Sequence, residues 1–140
     1  MRYKTLITLL SVILLAVYLP GCGNGSQEAS IEVTCDEFRE QPDAVREIEV
    51  SEGSTFTVTL CTSATAGFLW SDEVEISNDS AVMFVEHDMK TAIVDTASRE
   101  MWTFQALATG NSTIGLLYSR PWAIDDGQDM WTLSLFVIVK

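Results

Sequence analysis

From about residue 45 to the end of the chain, apolar and polar side chains alternate with period two, the mark of strands buried on one face. Ile48 and Val50 alternate with Glu47 and Glu49, and Glu52-Gly53-Ser54 supplies a turn. Phe56, Val58 and Leu60 share one face, with Thr55, Thr57 and Thr59 on the other. Phe68 to Trp70 predicts a third short strand and Met83 to His87 a fourth. Trp102, Phe104 and Ala106 mark a fifth, closed by Thr109-Gly110-Asn111, and Ile114, Leu116 and Tyr118 lead a sixth. The last, with Trp131, Leu133, Leu135, Val137 and Val139 on one face, reads as the longest and most apolar, which predicts a central position. Asp36 to Arg46 is the only stretch with helical character, and Pro42 limits it. Short strands separated by turn signals predict an all-β fold, an antiparallel sandwich of two sheets. Parallel α/β folds need crossover helices between strands, and the pattern offers none.

The first residues follow a different pattern. Arg2 and Lys4 precede a nearly unbroken apolar run, Leu6 to Leu19, interrupted by Thr8 and Ser11. That run is shorter than the roughly 20 residues a spanning helix needs and fits the apolar region of an export signal. It closes on Leu19-Pro20-Gly21-Cys22, similar to a bacterial lipobox in which the cysteine is acylated and becomes the new N-terminus. An ordinary cleaved signal with Cys22 incidental is the plainer alternative. Residues 1–21 are thus expected to be a lipoprotein signal peptide. Residues 22–30, rich in Gly and Ser, read as a flexible tether, and 31–140 as one domain. The expected location is the cell envelope, with the domain exported and lipid-anchored to the outer face of the membrane.

Charge narrows the partners. The chain carries a net charge of −12, and removal of the signal leaves 6 basic against 20 acidic side chains. Nucleic acid needs a basic face to displace counterions from phosphate, so it is excluded as a partner. Attachment to an anionic bilayer by charge fails for the same reason, and any membrane contact must come through lipid at Cys22. A monomer is expected.

The remaining cysteines, Cys35 and Cys61, would meet an oxidising compartment, so a disulfide between them is the leading reading. Metal binding is the weaker one, since the chain has a single histidine, His87, and no second cysteine near either thiol. No metal and no cofactor are expected.

Catalysis fails on inventory. A nucleophilic site must use His87, which reads as a solvent-facing strand residue, and no glycine-flanked nucleophile accompanies it. The acidic cluster Asp125-Asp126-Gly127-Gln128-Asp129 lacks the spacing and terminal glutamate of a calcium loop and reads as a solvated hairpin tip. Carboxylates abound, but nothing in their placement selects a hydrolytic pair.

Aromatic and conformationally special residues instead gather at two strand junctions. One is Ser63-Ala64-Thr65-Ala66-Gly67-Phe68-Leu69-Trp70, and the other is Tyr118-Ser119-Arg120-Pro121-Trp122. Pro121 fixes its own φ and biases Arg120 toward extended backbone, so Arg120 and Trp122 would be presented stiffly on a loop. Arg and Trp are the residue types that dominate binding hot spots. The bland alternative folds Trp122 back on the sandwich edge with Arg120 stacked on it.

These residues carry a resemblance. Ser63 to Trp70 is similar to the Asn-Pro-Thr-Thr-Gly-Phe/Tyr-x-Trp loop of the chagasin family of cysteine-protease inhibitors, and Arg120-Pro121-Trp122 matches that family's Arg-Pro-Trp loop. The resemblance covers about Cys35 to Lys140. It implies an immunoglobulin-like sandwich whose three loops, side by side at one end, block the active-site cleft of papain-like cysteine proteases without a cofactor. It further implies that the protease is bound by Ala64, Thr65, Ala66, Gly67 and Phe68, whose loop enters the catalytic centre, and by Arg120, Pro121 and Trp122, with Arg120 at the cleft's rim and Trp122 against aromatic surface on the primed side. The third loop would be about Thr91 to Glu100. Ala64 stands where the family has proline and Ala66 where it has its second threonine, and Thr91 to Glu100 lacks the family's glycines. The competing function is a surface-anchored recognition or adhesion module on the same scaffold.

Overall fold

The computed structural model describes residues 28–62, 67–90, 98–120 and 131–140. In chain order the elements are β1 (Ala29–Val33), α1 (Cys35–Glu40), β2 (Asp43–Val50), β3 (Thr55–Thr62), β4 (Leu69–Trp70), β5 (Glu75–Ile76), β6 (Val82–Lys90), β7 (Ser98–Ala106), β8 (Gly110–Ser119) and β9 (Trp131–Val139). One sheet has the order β1-β3-β7-β6. The other has β2-β9-β8-β4, with β5 also paired to β8.

Alternation explains the layers. The buried residues of β3 and β7, among them Phe56, Val58, Leu60, Trp102 and Phe104, face Ile114, Leu133, Leu135 and Val137 of β8 and β9 across one core. Burying such a side chain is worth about 1.5–3 kcal/mol, and the intervening Thr57, Thr59, Thr103 and Thr113 are only partly buried, with Ser134 exposed. β9 lies inside its sheet as the apolar pattern predicts. The longest strand is β8, with 10 residues against 9.

Four local features depart from the alternation pattern. Ala29 and Ser30, expected in the tether, are strand residues paired with Phe56 and Thr57. One edge pairing in each sheet, β1 with β3 and β2 with β9, is parallel, while all the other pairings are antiparallel. The parallel pairing of β1 and β3 is possible because the chain leaves β1 through α1 and β2, in the other sheet, before returning along β3. The helical stretch stops at Glu40, two residues before Pro42, and Asp43 to Arg46 belong to β2. Finally, β6 pairs with β7 as Phe84↔Phe104 and then Glu86↔Thr103, which leaves Val85 as a bulge.

α1 is short and held at its start. The Thr34 hydroxyl accepts the Glu37 N–H at 3.3 Å, while Glu37 Oε2 accepts the Thr34 N–H at 2.8 Å, a capping box. The bond from the Thr34 main chain, with help from its hydroxyl and from Arg46, holds the Glu37 carboxyl below its ordinary value. A disulfide joins Cys35, at the start of the helix, to Cys61 near the end of β3, with Cα atoms 5.2 Å apart.

Candidate functional site

The strand registers bring the two junctions to one end of the sandwich. In the first sheet Thr62 pairs with Ser98 and Lys90 with Arg99, so the segments that follow β3 and join β6 to β7 leave the same edge. In the second, Leu69 pairs with Ser119 and Tyr118 with Trp131, so the segments that precede β4 and follow β8 share an edge too. The Trp70 indole N–H donates to the Cys61 carbonyl at 3.1 Å and ties the two edges into a single pole.

Beneath this pole lies a run of stacked rings. Phe68 stacks on Tyr118 at 5.5 Å, Tyr118 on its cross-strand partner Trp131 at 5.0 Å, and Trp131 on Phe38 of α1 at 4.9 Å. Trp70 packs beside them, 5.0 Å from Tyr118 and 6.0 Å from Trp102. On the outer end, the Arg120 guanidinium lies 4.7 Å from the Phe68 ring centroid, within cation–π range. One residue from each junction therefore holds the other. Gly67, beside Phe68, has φ +87°, a left-handed conformation in which a side chain is strained.

Of the expected site residues, Gly67, Phe68 and Arg120 come together at this pole. Arg120 stacks on Phe68. Ala64, Thr65, Ala66, Pro121 and Trp122 lie outside the described residues, as do Cys22 and the acidic run Asp125 to Asp129. The third expected loop is shorter at its C-terminal end, because Ser98, Arg99 and Glu100 belong to β7.

His87 corrects an expectation. It does not face solvent: its ring stacks on Trp102 at 4.4 Å and 8°, and its Nε2 lies 2.8 Å from Oε2 of Glu100, a carboxylate only 2% exposed. The bulge at Val85 is the reason. Without the extra residue, Glu86 would follow Val82 and Phe84 opposite Trp102; with it, His87 takes that place. Glu100 was within reach of the alternation pattern, two residues before Trp102 on the same face, but its partner was not. The pair helps line a flank cleft of about 510 Å³ together with Leu69, Trp70, Asp72 and Met89. Among the described residues, no group of three or more His, Cys, Asp or Glu side chains is placed to hold a metal ion. None of the described helices is long and apolar enough to cross a membrane.

Residues 49–135 match the sequence profile described as chagasin family peptidase inhibitor I42. The chain belongs to the chagasin family. The matched region contains both aromatic junctions, and membership makes the chain a peptidase inhibitor by family and not an enzyme. No curated protein matches the sequence of this chain. Among solved structures it is similar to EhICP2, a cysteine protease inhibitor from Entamoeba histolytica. That likeness has 22% identity and a TM-score of 0.59 over 81% of this chain and 98% of the other. It is also similar to PbICP-C, solved in complex with falcipain-2, with 13% identity and a TM-score of 0.60 over 80% of this chain and 99% of the other. At these identities the likeness shows the fold, an immunoglobulin-like all-β sandwich.

Proposed function

We propose that this chagasin-family member is a reversible inhibitor of papain-like cysteine proteases, blocking the active-site cleft with three adjacent loops. The observation that carries the reading is the shared pole: strand ends flanking residues 63–66, 91–97 and 121–130 lie together, and Arg120 is stacked on Phe68. In this reading Ala64, Thr65, Ala66, Gly67 and Phe68 fill the catalytic centre, Arg120 meets the rim, and Trp122, held by Pro121, packs against aromatic surface on the primed side of the cleft. The cleft is filled without a scissile carbonyl being set at the nucleophile. Segments rooted at both ends in a rigid sandwich lose little entropy on docking, which leaves more contact energy as affinity. The likeness to EhICP2, a cysteine protease inhibitor, and to PbICP-C, solved in complex with falcipain-2, supports the choice of target class. The chain acts as a monomer, exported and held at the outer face of a membrane by lipid on Cys22.

Titration of papain and a cathepsin L-like protease with the folded protein tests this directly. Stoichiometric inhibition is expected, weakened at least about tenfold in Trp122→Ala, as for a central hot-spot residue. Absence of inhibition at large excess of folded protein would refute it and leave the recognition or adhesion module in its place.

A further inference from the structure

The export motif at Cys22 and the parallel pairing of β1 with β3 bear on each other. β3 runs from Thr55, beside the turn at Gly53, to Thr62 at the loop pole. β1 runs alongside it in the same direction, Ala29 opposite Phe56 and Val33 opposite Leu60. The chain therefore enters the domain at the turn pole. Its entry point is fixed there, since the Thr55 hydroxyl donates to Glu28 Oε1 at 3.2 Å. From Phe56 to Thr62 the sandwich is about 20 Å tall at 3.3 Å per strand residue.

Six residue steps separate Cys22 from Glu28. A Gly/Ser-rich stretch of that length has a root-mean-square span of about 14 Å and a fully extended limit of about 20 Å. Turning the loop pole to the bilayer would lift the entry point by the height of the domain, which demands a fully stretched tether. Keeping the turn pole nearest the bilayer demands no stretching at all.

We infer that in the anchored protein the membrane and the protease lie at opposite poles, with Gly67, Phe68 and Arg120 directed away from the lipid into the aqueous space. The partner is then a protease in solution or on a facing surface, and not one whose cleft opens at the same bilayer. This rests on the inhibitor reading and on acylation of Cys22.

The test uses the full lipidated chain reconstituted in phosphatidylcholine vesicles that carry an energy-transfer acceptor on the headgroups. A donor dye is placed on Ser51→Cys at the turn pole or on Met89→Cys near the loop pole; both positions are exposed. Transfer several-fold stronger from position 51 than from position 89 is expected. Equal or reversed transfer overturns the orientation, and so does a chain that washes off the vesicles or whose mass shows Cys22 unmodified. Separately, the unlabelled chain should inhibit soluble papain as well on vesicles as in nonionic detergent. Inhibition in detergent alone overturns the orientation and spares the inhibitor reading. Inhibition in neither medium removes that reading, and energy transfer still decides the orientation.

Discussion

The two poles of this sandwich are closed mainly by different chemistry, although Glu52 also accepts from Thr109 at the turn pole and Thr132 N–H donates to the Pro42 carbonyl at the loop pole. At the turn pole the backbone closes on itself: Gly53 N–H donates to the Ala106 carbonyl at 2.8 Å, Leu107 N–H to that of Ala81 at 2.7 Å, and Lys140 N–H to that of Val50 at 2.9 Å. At the loop pole side chains do the joining, through the Cys35–Cys61 bridge, the Trp70 indole, the stacked rings and Arg120 on Phe68. Main-chain closure tolerates many sequences, because every residue but proline carries the donor. Closure by side chains depends on particular residues. A binding surface sits naturally on the second kind of pole.

That contrast is broken or sharpened most strongly at the disulfide. Replacing both Cys35 and Cys61 by Ser should cost about 3–4 kcal/mol on the chain-entropy account. Urea unfolding would measure the cost, and amide exchange should rise at the loop pole before the turn pole. Equal acceleration at both poles would show that the two are not separately held.

Phe68→Ala comes next. The ring is half-buried between Tyr118 and Arg120, so the expected cost is about 2 kcal/mol, below that of a fully buried phenylalanine. Protease inhibition should fall at least about tenfold, as expected when a hot-spot residue loses its support. A loss of stability with unchanged inhibition would detach Arg120 and Phe68 from the proposed surface.

A matched pair of glycines gives a smaller and cleaner comparison. Gly53 has φ +80° at the turn pole and Gly67 has φ +87° at the loop pole. Alanine at either should cost about 1 kcal/mol, since both are left-handed. No heavy atom would meet a Cβ on Gly53 within 4 Å, so only the backbone is strained there. Gly67→Ala alone should weaken inhibition, and equal effects from the two variants would argue against a functional difference between the poles.

The smallest effect concerns Glu37, whose carboxyl is held below its ordinary value of 4.5, first by the Thr34 main-chain bond. A lowered folded-state value stabilises above the ordinary value and is lost as pH falls through the folded one. The wild type should exceed Glu37→Gln by at most about 0.5 kcal/mol near neutrality, because the carboxylate is largely exposed. Thermal unfolding across pH should show that gap closing on acidification. A gap that is constant with pH would mean the charge contributes nothing.

Much of this could be read from residue order alone. Alternation in 55–60, 102–106, 114–118 and 131–139 placed the strands and their buried faces, because the pleat is a local property of the backbone. The junctions Ser63 to Trp70 and Tyr118 to Trp122 carried the family resemblance, and a left-handed backbone such as that at Gly67 needs glycine wherever it sits. What residue order did not determine is who pairs with whom. The parallel edges, the entry of the chain at the turn pole and the stacking of Arg120 on Phe68 are contacts between residues far apart in the chain, chosen by the packing of two sheets. The single unpaired residue at Val85 shows the reason most plainly. One extra residue reverses the parity of everything after it in the strand, and so turns His87 from the solvent to Trp102 and Glu100.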